Sequence, residues 1–314
     1  MNTPNPSGPV LVIGSASVDT IARAAGPLST GSSAPGRIRR AFGGVARNTA
    51  ENLARLGVPT VLLTAVGDDE GGRSLLAHAA SVGIDTAHTL VVPGASTGGF
   101  LAVLDERAAL HVAVDQMSAI AALTPRFLRE KKLLFKEAAC VMIDANLAPE
   151  AIAAVISLAR SAKLPICADP TSVPLAPRLI PHLDDLALLI SNAAEAAAIC
   201  DCELAREDSD RAVVVAKDLV ARGVELAVVT LGEFGVGYAT AEVSGHIPAL
   251  RAEVVDSTGA GDAFTAAVIF GLLHEVPVDE AVSLGVSAAA LTLRSNHTVV
   301  PELSEELLYE QLVI

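Results

Sequence analysis

Six short apolar runs, Val10–Ile13, Thr60–Thr64, Ala139–Ile143, Pro165–Ala168, Leu186–Ile190 and Leu226–Thr230, alternate with Ala- and Leu-rich stretches of helical character such as Val45–Leu56, Gly72–Val82, Pro149–Ala162 and Asp210–Arg222. A chain with that rhythm has few ways to fold, because each strand that is followed by a helix returns parallel to its predecessor. The expected result is an α/β fold, three layers in which helices cover both faces of a mostly parallel sheet. Several runs end in small or polar residues, at Gly14–Ser15, Asp144, Asp169, Ser191–Asn192 and Thr230–Gly232. Ligands of open α/β sheets bind outside those carboxyl ends. The binding edge is therefore marked before any motif is considered.

Two segments break the rhythm. Residues 20–42 are rich in Gly, Ser and Pro and carry the basic cluster Arg37, Arg39 and Arg40, while residues 89–117 alternate apolar and polar positions. Both read as antiparallel strands that form a small β-strand lid, spanning about 16–42 and 89–117, over the carboxyl edge. At roughly 150 residues per domain, 314 residues allow one large domain or two ordinary ones. No linker, repeat or low-complexity block divides them, so a single domain over 1–314 is expected.

Composition removes several classes of function. An excess of 36 acidic over 22 basic residues, a net charge of −14, opposes non-specific binding to nucleic acid or to an anionic membrane. The longest apolar stretches, near Ala263–Leu273 and Ala281–Leu293, are short of the roughly 20 residues that span a bilayer. Met1–Pro9 is polar and reads as a frayed tail, and the cytoplasm is the expected compartment. The four cysteines, with one C-x-C pair at Cys200 and Cys202, lack the second pair of a zinc site and read as reduced thiols.

The stretch that carries chemistry is Asp256-Ser257-Thr258-Gly259-Ala260-Gly261-Asp262-Ala263-Phe264, leading into the helical Thr265–Leu273. A Gly-Ala-Gly turn that opens a helix presents unpaired N–H groups and the positive end of the helix dipole, which together make an anion site. Asp262, in the first helical turn, is placed to stay ionised and to accept a proton from a substrate hydroxyl while Gly259, Ala260 and Gly261 hold developing phosphoryl charge. Taken alone, the same residues describe a tight turn and a helix cap. The chain contains no G-x-x-x-x-G-K-[ST], G-x-S-x-G or H-E-x-x-H, and Gly232, Gly235 and Gly237 lack dinucleotide-binding spacing.

The nonapeptide resembles the signature of the ribokinase-like carbohydrate and nucleoside kinases. The likeness extends from Val10 to about Pro301 with every motif in family order, and it implies the ribokinase-like three-layer α/β/α fold. Gly43-Gly44-Val45-Ala46-Arg47-Asn48 resembles the family's amino-terminal signature, implying that Gly43 and Gly44 hinge the lid and contact the sugar and that Asn48 bonds its hydroxyls. Without the family, Asn48 is an ordinary capping residue. Asp19 resembles the aspartate that holds two sugar hydroxyls; alone it reads as an Asx turn. Asn192-Ala193-Ala194-Glu195 resembles an N-x-x-E element, with Asn192 toward the nucleotide phosphates and Glu195 acting on Mg²⁺ through water. Thr230, Gly232 and Gly235 resemble a turn that approaches ATP phosphates, although the same residues suit a hairpin, and Asn296 is carried over to the nucleotide site. The resemblance implies ATP and Mg²⁺ as cofactors, with K⁺ near Asp256 and the 288–296 loop.

Within the family, Asp115-Gln116-Met117-Ser118, Asp144-Ala145-Asn146, Asp169-Pro170-Thr171-Ser172 and the Ser295–Pro301 tail are similar to pseudouridine kinases. That likeness implies transfer to a nucleoside 5′-hydroxyl. Read from the residues themselves, Ser96-Thr97-Gly98-Gly99-Phe100 offers hydroxyls, that of Thr97 among them, and an apolar ring to a pyrimidine, and Asp115, Gln116 or Asn146 are candidates to read its edges. Ribose, adenosine or a phosphosugar remain as other acceptors, the last because of Arg37, Arg39, Arg40 and Arg47. A non-catalytic nucleoside-binding protein of the same fold is expected to carry a broken signature, and this one is intact. The expected partners are a small nucleoside or sugar and, through lid edge strands, a second copy in a homodimer.

Overall fold

The computed structural model describes residues 8–107 and 110–312. The frayed-tail reading of Met1–Pro9 falls almost wholly outside them.

The elements follow in chain order. The first part comprises β1 (Val10–Ile13), β2 (Ser17–Ala24), β3 (Gly36–Gly43), α1 (Val45–Arg55), β4 (Thr60–Leu63), β5 (Ala65–Gly67), α2 (Glu70–Ser81), β6 (Leu90–Val92), β7 (Gly98–Leu104) and β8 (Leu110–Gln116). The middle comprises α3 (Pro125–Glu130), α4 (Lys132–Glu137), β9 (Cys140–Asp144), α5 (Pro149–Ala162), β10 (Ile166–Asp169), β11 (Leu188–Asn192), α6 (Ala193–Cys200), α7 (Ser209–Ala221) and β12 (Leu226–Thr230). The last part is β13 (Val236–Ala239), β14 (Ser244–Ile247), α8 (Ala260–Leu273), α9 (Val278–Leu293) and α10 (Glu305–Leu312).

All six apolar runs are strands of one sheet of eight, in the order β14-β13-β12-β11-β10-β9-β1-β4. The six are parallel, and β13 and β14 extend the β12 edge as an antiparallel meander. The strands are buried on both faces, as β1 shows with all four residues inaccessible, because helices pack on each side. One apolar layer is built around α5, α6 and α7, including Leu11, Val141, Ile152, Leu189 and Leu219. The opposite layer is built around α1, α8 and α9, including Val12, Leu53, Met142, Val268 and Leu284. The folded chain is thus three-layered α/β/α, and among the described residues no helix is long and apolar enough to cross a membrane.

The lid expectation needs two corrections. The irregular segments supply a separate four-stranded sheet, β3-β2-β7-β8, whose hairpins β2-β3 and β7-β8 are antiparallel, but β2 joins β7 in parallel. β6 leaves that sheet and pairs with β5 instead. The reason is connectivity: α2 lies between the two hairpins, and a strand reached through a helical crossover returns parallel.

Helices α8 and α9 meet closely because Gly285 lets Phe264 and Val268 approach its backbone; a Cβ at 285 would lie 2.8 Å from both side chains. Gly285→Val is expected to overpack this contact and lower stability by about 1–3 kcal/mol, measured as a drop in the urea midpoint with unchanged slope.

Candidate active site

The carboxyl edge of the large sheet is organised around Asp144, the last residue of β9, whose carboxylate is wholly buried. Its Oδ2 accepts from the Ser15 N–H and hydroxyl, both at 2.7 Å, and from the Ala46 N–H at 3.1 Å, while Oδ1 accepts from the Asn146 N–H at 3.0 Å. The Ser15 hydroxyl in turn accepts from the Val45 N–H at 3.1 Å. One side chain thus fixes the end of β1 to the first turn of α1. The diglycine before α1 is a steric requirement: Gly44 has φ 92°, and a side chain there would enter the Ser15–Ala16 backbone, while a side chain at Gly43 would collide with the Asp19 carboxylate.

So aimed, α1 carries Asn48 across to α8, where its amide donates to Asp262 Oδ2 at 2.6 Å. Asp262 lies in the first turn of α8, after Gly259 at φ 86°. Gly259 is confined by the Thr298 carbonyl, which any Cβ would strike, whereas a Cβ at Gly261 or Gly232 would meet nothing within 4 Å. The helix entry is therefore packed behind and open in front. Beside this opening is a cavity of about 240 Å³ whose lining includes Thr230, Gly232, Ser257 and Gly261 together with the apolar Val286, Ala289 and Leu293. A helix start beside a cavity with both polar and apolar lining is a place where an anion-bearing ligand can bind.

Asn192 and Thr230 are register partners at the ends of β11 and β12. Asn192 caps α6, accepting from the N–H groups of Ala194 at 2.9 Å and Glu195 at 3.0 Å, and Glu195 Oε2 accepts from the Asn192 N–H at 2.9 Å. This reciprocal capping box makes the cap reading of the N-x-x-E element correct as local structure. It also holds the Glu195 carboxylate at the edge that Asp144, Asp169 and Asp262 share. Among the described residues no three acidic, His or Cys side chains converge on a metal position.

Electrostatics single out Asp262. Burial pushes its carboxyl up to about 7; Asn48 and Arg47 oppose that rise, and the Asp144 and Asp19 carboxylates add to it. Burial likewise raises Asp169, with Asp262 and Glu195 adding to the effect, and burial raises Asp19 and Glu195. The expectation that the helix dipole keeps Asp262 ionised is therefore corrected: desolvation outweighs it, and the group is near its midpoint at neutral pH.

The second sheet brings more of the expected residues into one row. Ala41, Asp19, Phe100 and Asp115 are successive cross-strand partners, so Asp19 and Asp115 flank the Phe100 ring position on one face. Asp19 also accepts from the Ser17 hydroxyl at 2.7 Å.

A model of the pfkB family carbohydrate kinases matches residues 9–304. The chain belongs to that family. It is 32% identical over 297 residues to the pseudouridine kinase of Escherichia coli, covering 94% of this chain and 93% of the relative, and 30% identical to the guanosine-inosine kinase of Exiguobacterium acetylicum, covering 95% and 99%. Its fold matches Arabidopsis thaliana ribokinase, solved with ribose and ATP, at a TM-score of 0.85 over 98% of this chain and 99% of that one, with 19% identity. Membership makes this pfkB kinase a phosphotransferase with an alcohol acceptor.

Two expected site residues have other work in the kinase. Thr97 is buried, its hydroxyl donating to Asp69 at 2.6 Å and accepting from the Gly67 N–H at 3.0 Å, so it locks the base of β7 to the start of α2. The Asp256 carboxylate is ion-paired to Arg39, so the K⁺ expected there finds its carboxylate already engaged by a guanidinium. Asn146 lies at the β9 end with its amide 3.5 Å from the Thr171 hydroxyl, and Asn296 meets Arg39 through its backbone carbonyl.

Sequence reasoning offered Arg47 only to a phosphosugar and missed its contact with Asn48. Arg47 is 2% exposed, bonds Glu51, the Phe42 and Gly43 carbonyls and the Asn48 side-chain oxygen, and so turns the Asn48 amide toward Asp262. A guanidinium spent this way does not serve a phosphosugar. The signal was its place one residue before Asn48; its burial was not legible.

Since only the ionised carboxylate accepts a proton, kcat/KM for the acceptor is expected to fall as pH drops through about 7. Asn48→Leu removes a hydrogen bond to the ionised form, and the midpoint of the pH–rate profile is expected to move upward.

Proposed function

We infer that this kinase transfers the γ-phosphoryl group of ATP, with Mg²⁺, to the 5′-hydroxyl of pseudouridine. The observation that carries the transfer is Asp262, held by Asn48 at the start of α8 beside the open space in front of Gly261. Bound Mg·ATP supplies the phosphoryl group and its counter-charge. Gly259, Ala260 and Gly261 donate to the migrating negative charge, Asp262 takes the hydroxyl proton, and Asp19, Gly43, Gly44 and Asn48 orient the sugar. Asn192, Thr230, Gly232 and Gly235 line the phosphate approach, with Glu195 acting on magnesium-bound water.

The nucleoside reading draws on the identity to a pseudouridine kinase and on the Asp19–Phe100–Asp115 row, which offers hydroxyl acceptors beside a ring that stacks on a base. The second reading is a purine nucleoside, favoured by the similar identity to a guanosine-inosine kinase. In either case the four-stranded sheet acts as a lid that closes over the acceptor and excludes water. The four free thiols and the use of ATP fit the cytoplasm.

The deciding assay is ADP release with Mg·ATP against pseudouridine, uridine, adenosine, guanosine, inosine, ribose and fructose phosphates. Pseudouridine is expected to give the highest kcat/KM, and a leading purine would replace it. Asp262→Asn is expected to lower kcat by about 10²–10⁴-fold while nucleoside affinity stays within a few-fold.

The outer face of the lid carries exposed Ile38, Leu101, Val112 and Val114. The cross-strand rows Ile38-Ala22-Val103-Val112 and Arg40-Thr20-Leu101-Val114 place them side by side. We read this face as the contact of a homodimer. Sedimentation is expected to give twice the 32.0 kDa chain mass, and Val114→Glu is expected to give the monomer.

A further inference from the structure

Arg39 reaches out of the lid sheet to the anion turn. It lies on β3 opposite Ile21, two residues from Ala41, and so shares the face that carries Asp19. Its guanidinium ion-pairs with the Asp256 carboxylate, and its Nη1 is 3.5 Å from the Asn296 carbonyl. These two partners belong to the two segments that wrap the entry of α8. On one side, Asp256 Oδ1 accepts from the Thr258 N–H at 2.9 Å and shapes the turn into Gly259. On the other, the loop from Leu293 to Thr298 bonds the Val255 N–H at 2.8 Å through the Leu293 carbonyl and presses the Thr298 carbonyl against Gly259.

A carboxylate and several carbonyls packed behind an anion hole place negative charge where it opposes the anion. A cation between them removes that penalty and fixes the turn. The family resemblance supplies a monovalent ion for the task, yet the arrangement here does not fit one, because the Asp256 carboxylate already holds a guanidinium. An arginine fork is charged at every working pH and bonds a carboxylate and a carbonyl at once, which a hydrated alkali ion does less directionally.

We propose that Arg39 is a positioning residue that serves as the built-in cation of the anion hole, replacing a monovalent metal and making the hole's geometry depend on the position of the lid. The inference rests on the phosphoryl-transfer reading of the site. Because the cation belongs to the lid, opening the lid withdraws it from Asp256, and the anion turn is held only while the acceptor is enclosed.

The test compares the full-length protein with Arg39→Ala in buffers of K⁺, Na⁺ or a bulky organic cation at constant ionic strength. Wild type is expected to turn over equally in all three. Arg39→Ala, which removes a side chain that is 42% exposed, is expected to lose about tenfold or more in kcat in the organic cation, with acceptor KM little changed, and to recover most of it in K⁺. Thallium(I), a potassium surrogate read by its own nuclear resonance, gives a readout without turnover. It is expected to bind Arg39→Ala and not wild type. Activation of wild type by K⁺, thallium binding to wild type, an unchanged kcat in Arg39→Ala, or a loss that K⁺ does not repair each overturns the proposal. Wild type releasing no ADP with any acceptor is the separate failure of the kinase reading, and the thallium comparison still decides the role of Arg39.

Discussion

The structure turns on a carboxylate that never meets solvent. Asp144 is an acid buried at the end of β9, and such a group is tolerated only when donors surround it. The donors it collects come from the end of β1, the start of α1 and its own loop. Satisfying one buried charge therefore sets the angle at which α1 leaves the sheet. That angle decides whether Asn48 reaches Asp262, so the hydrogen bonds that satisfy a buried acid also bring two distant polar side chains together.

From that anchor the site is built by subtraction as much as by addition. Gly43 and Gly44 leave room for Asp19 and the Ser15 backbone and Gly259 for the Thr298 carbonyl, while Gly261 and Gly232 face open space. The charged side chains are then sorted by burial. Arg47 is committed inward to Glu51 and Asn48, Arg39 reaches across to Asp256, and Asp262 is left as the carboxyl with a proton affinity close to neutrality. Since both arginines carry a fixed charge, the acids around them, and not the bases, set how the site responds to pH.

Much of this was legible in the sequence, because the informative features are local. The parallel strands announce themselves as apolar runs with small polar ends, and the turn into α8 is written in nine consecutive residues. What was not legible depends on pairs far apart in the chain. Nothing in Thr97 says that its hydroxyl is taken by Asp69, nothing in Arg39 says that it meets Asp256, 217 positions away, and the parallel joint between β2 and β7 follows from a crossover that residue patterns do not display. The ionisation of Asp262 went astray for the same reason: the dipole is a property of the helix, whereas desolvation comes from everything packed around it.

The Asn48–Asp262 contact joins residues 214 positions apart, and that span bears on how the protein comes into being. During synthesis the amino-terminal strands and α1 emerge long before α8 exists, so the growing chain holds Asn48 with no Asp262 to meet. Loop closure over such a distance is entropically late. The Asn48–Asp262 pair therefore forms only when the segment from α8 onward docks, and a product that stops before α8 lacks it.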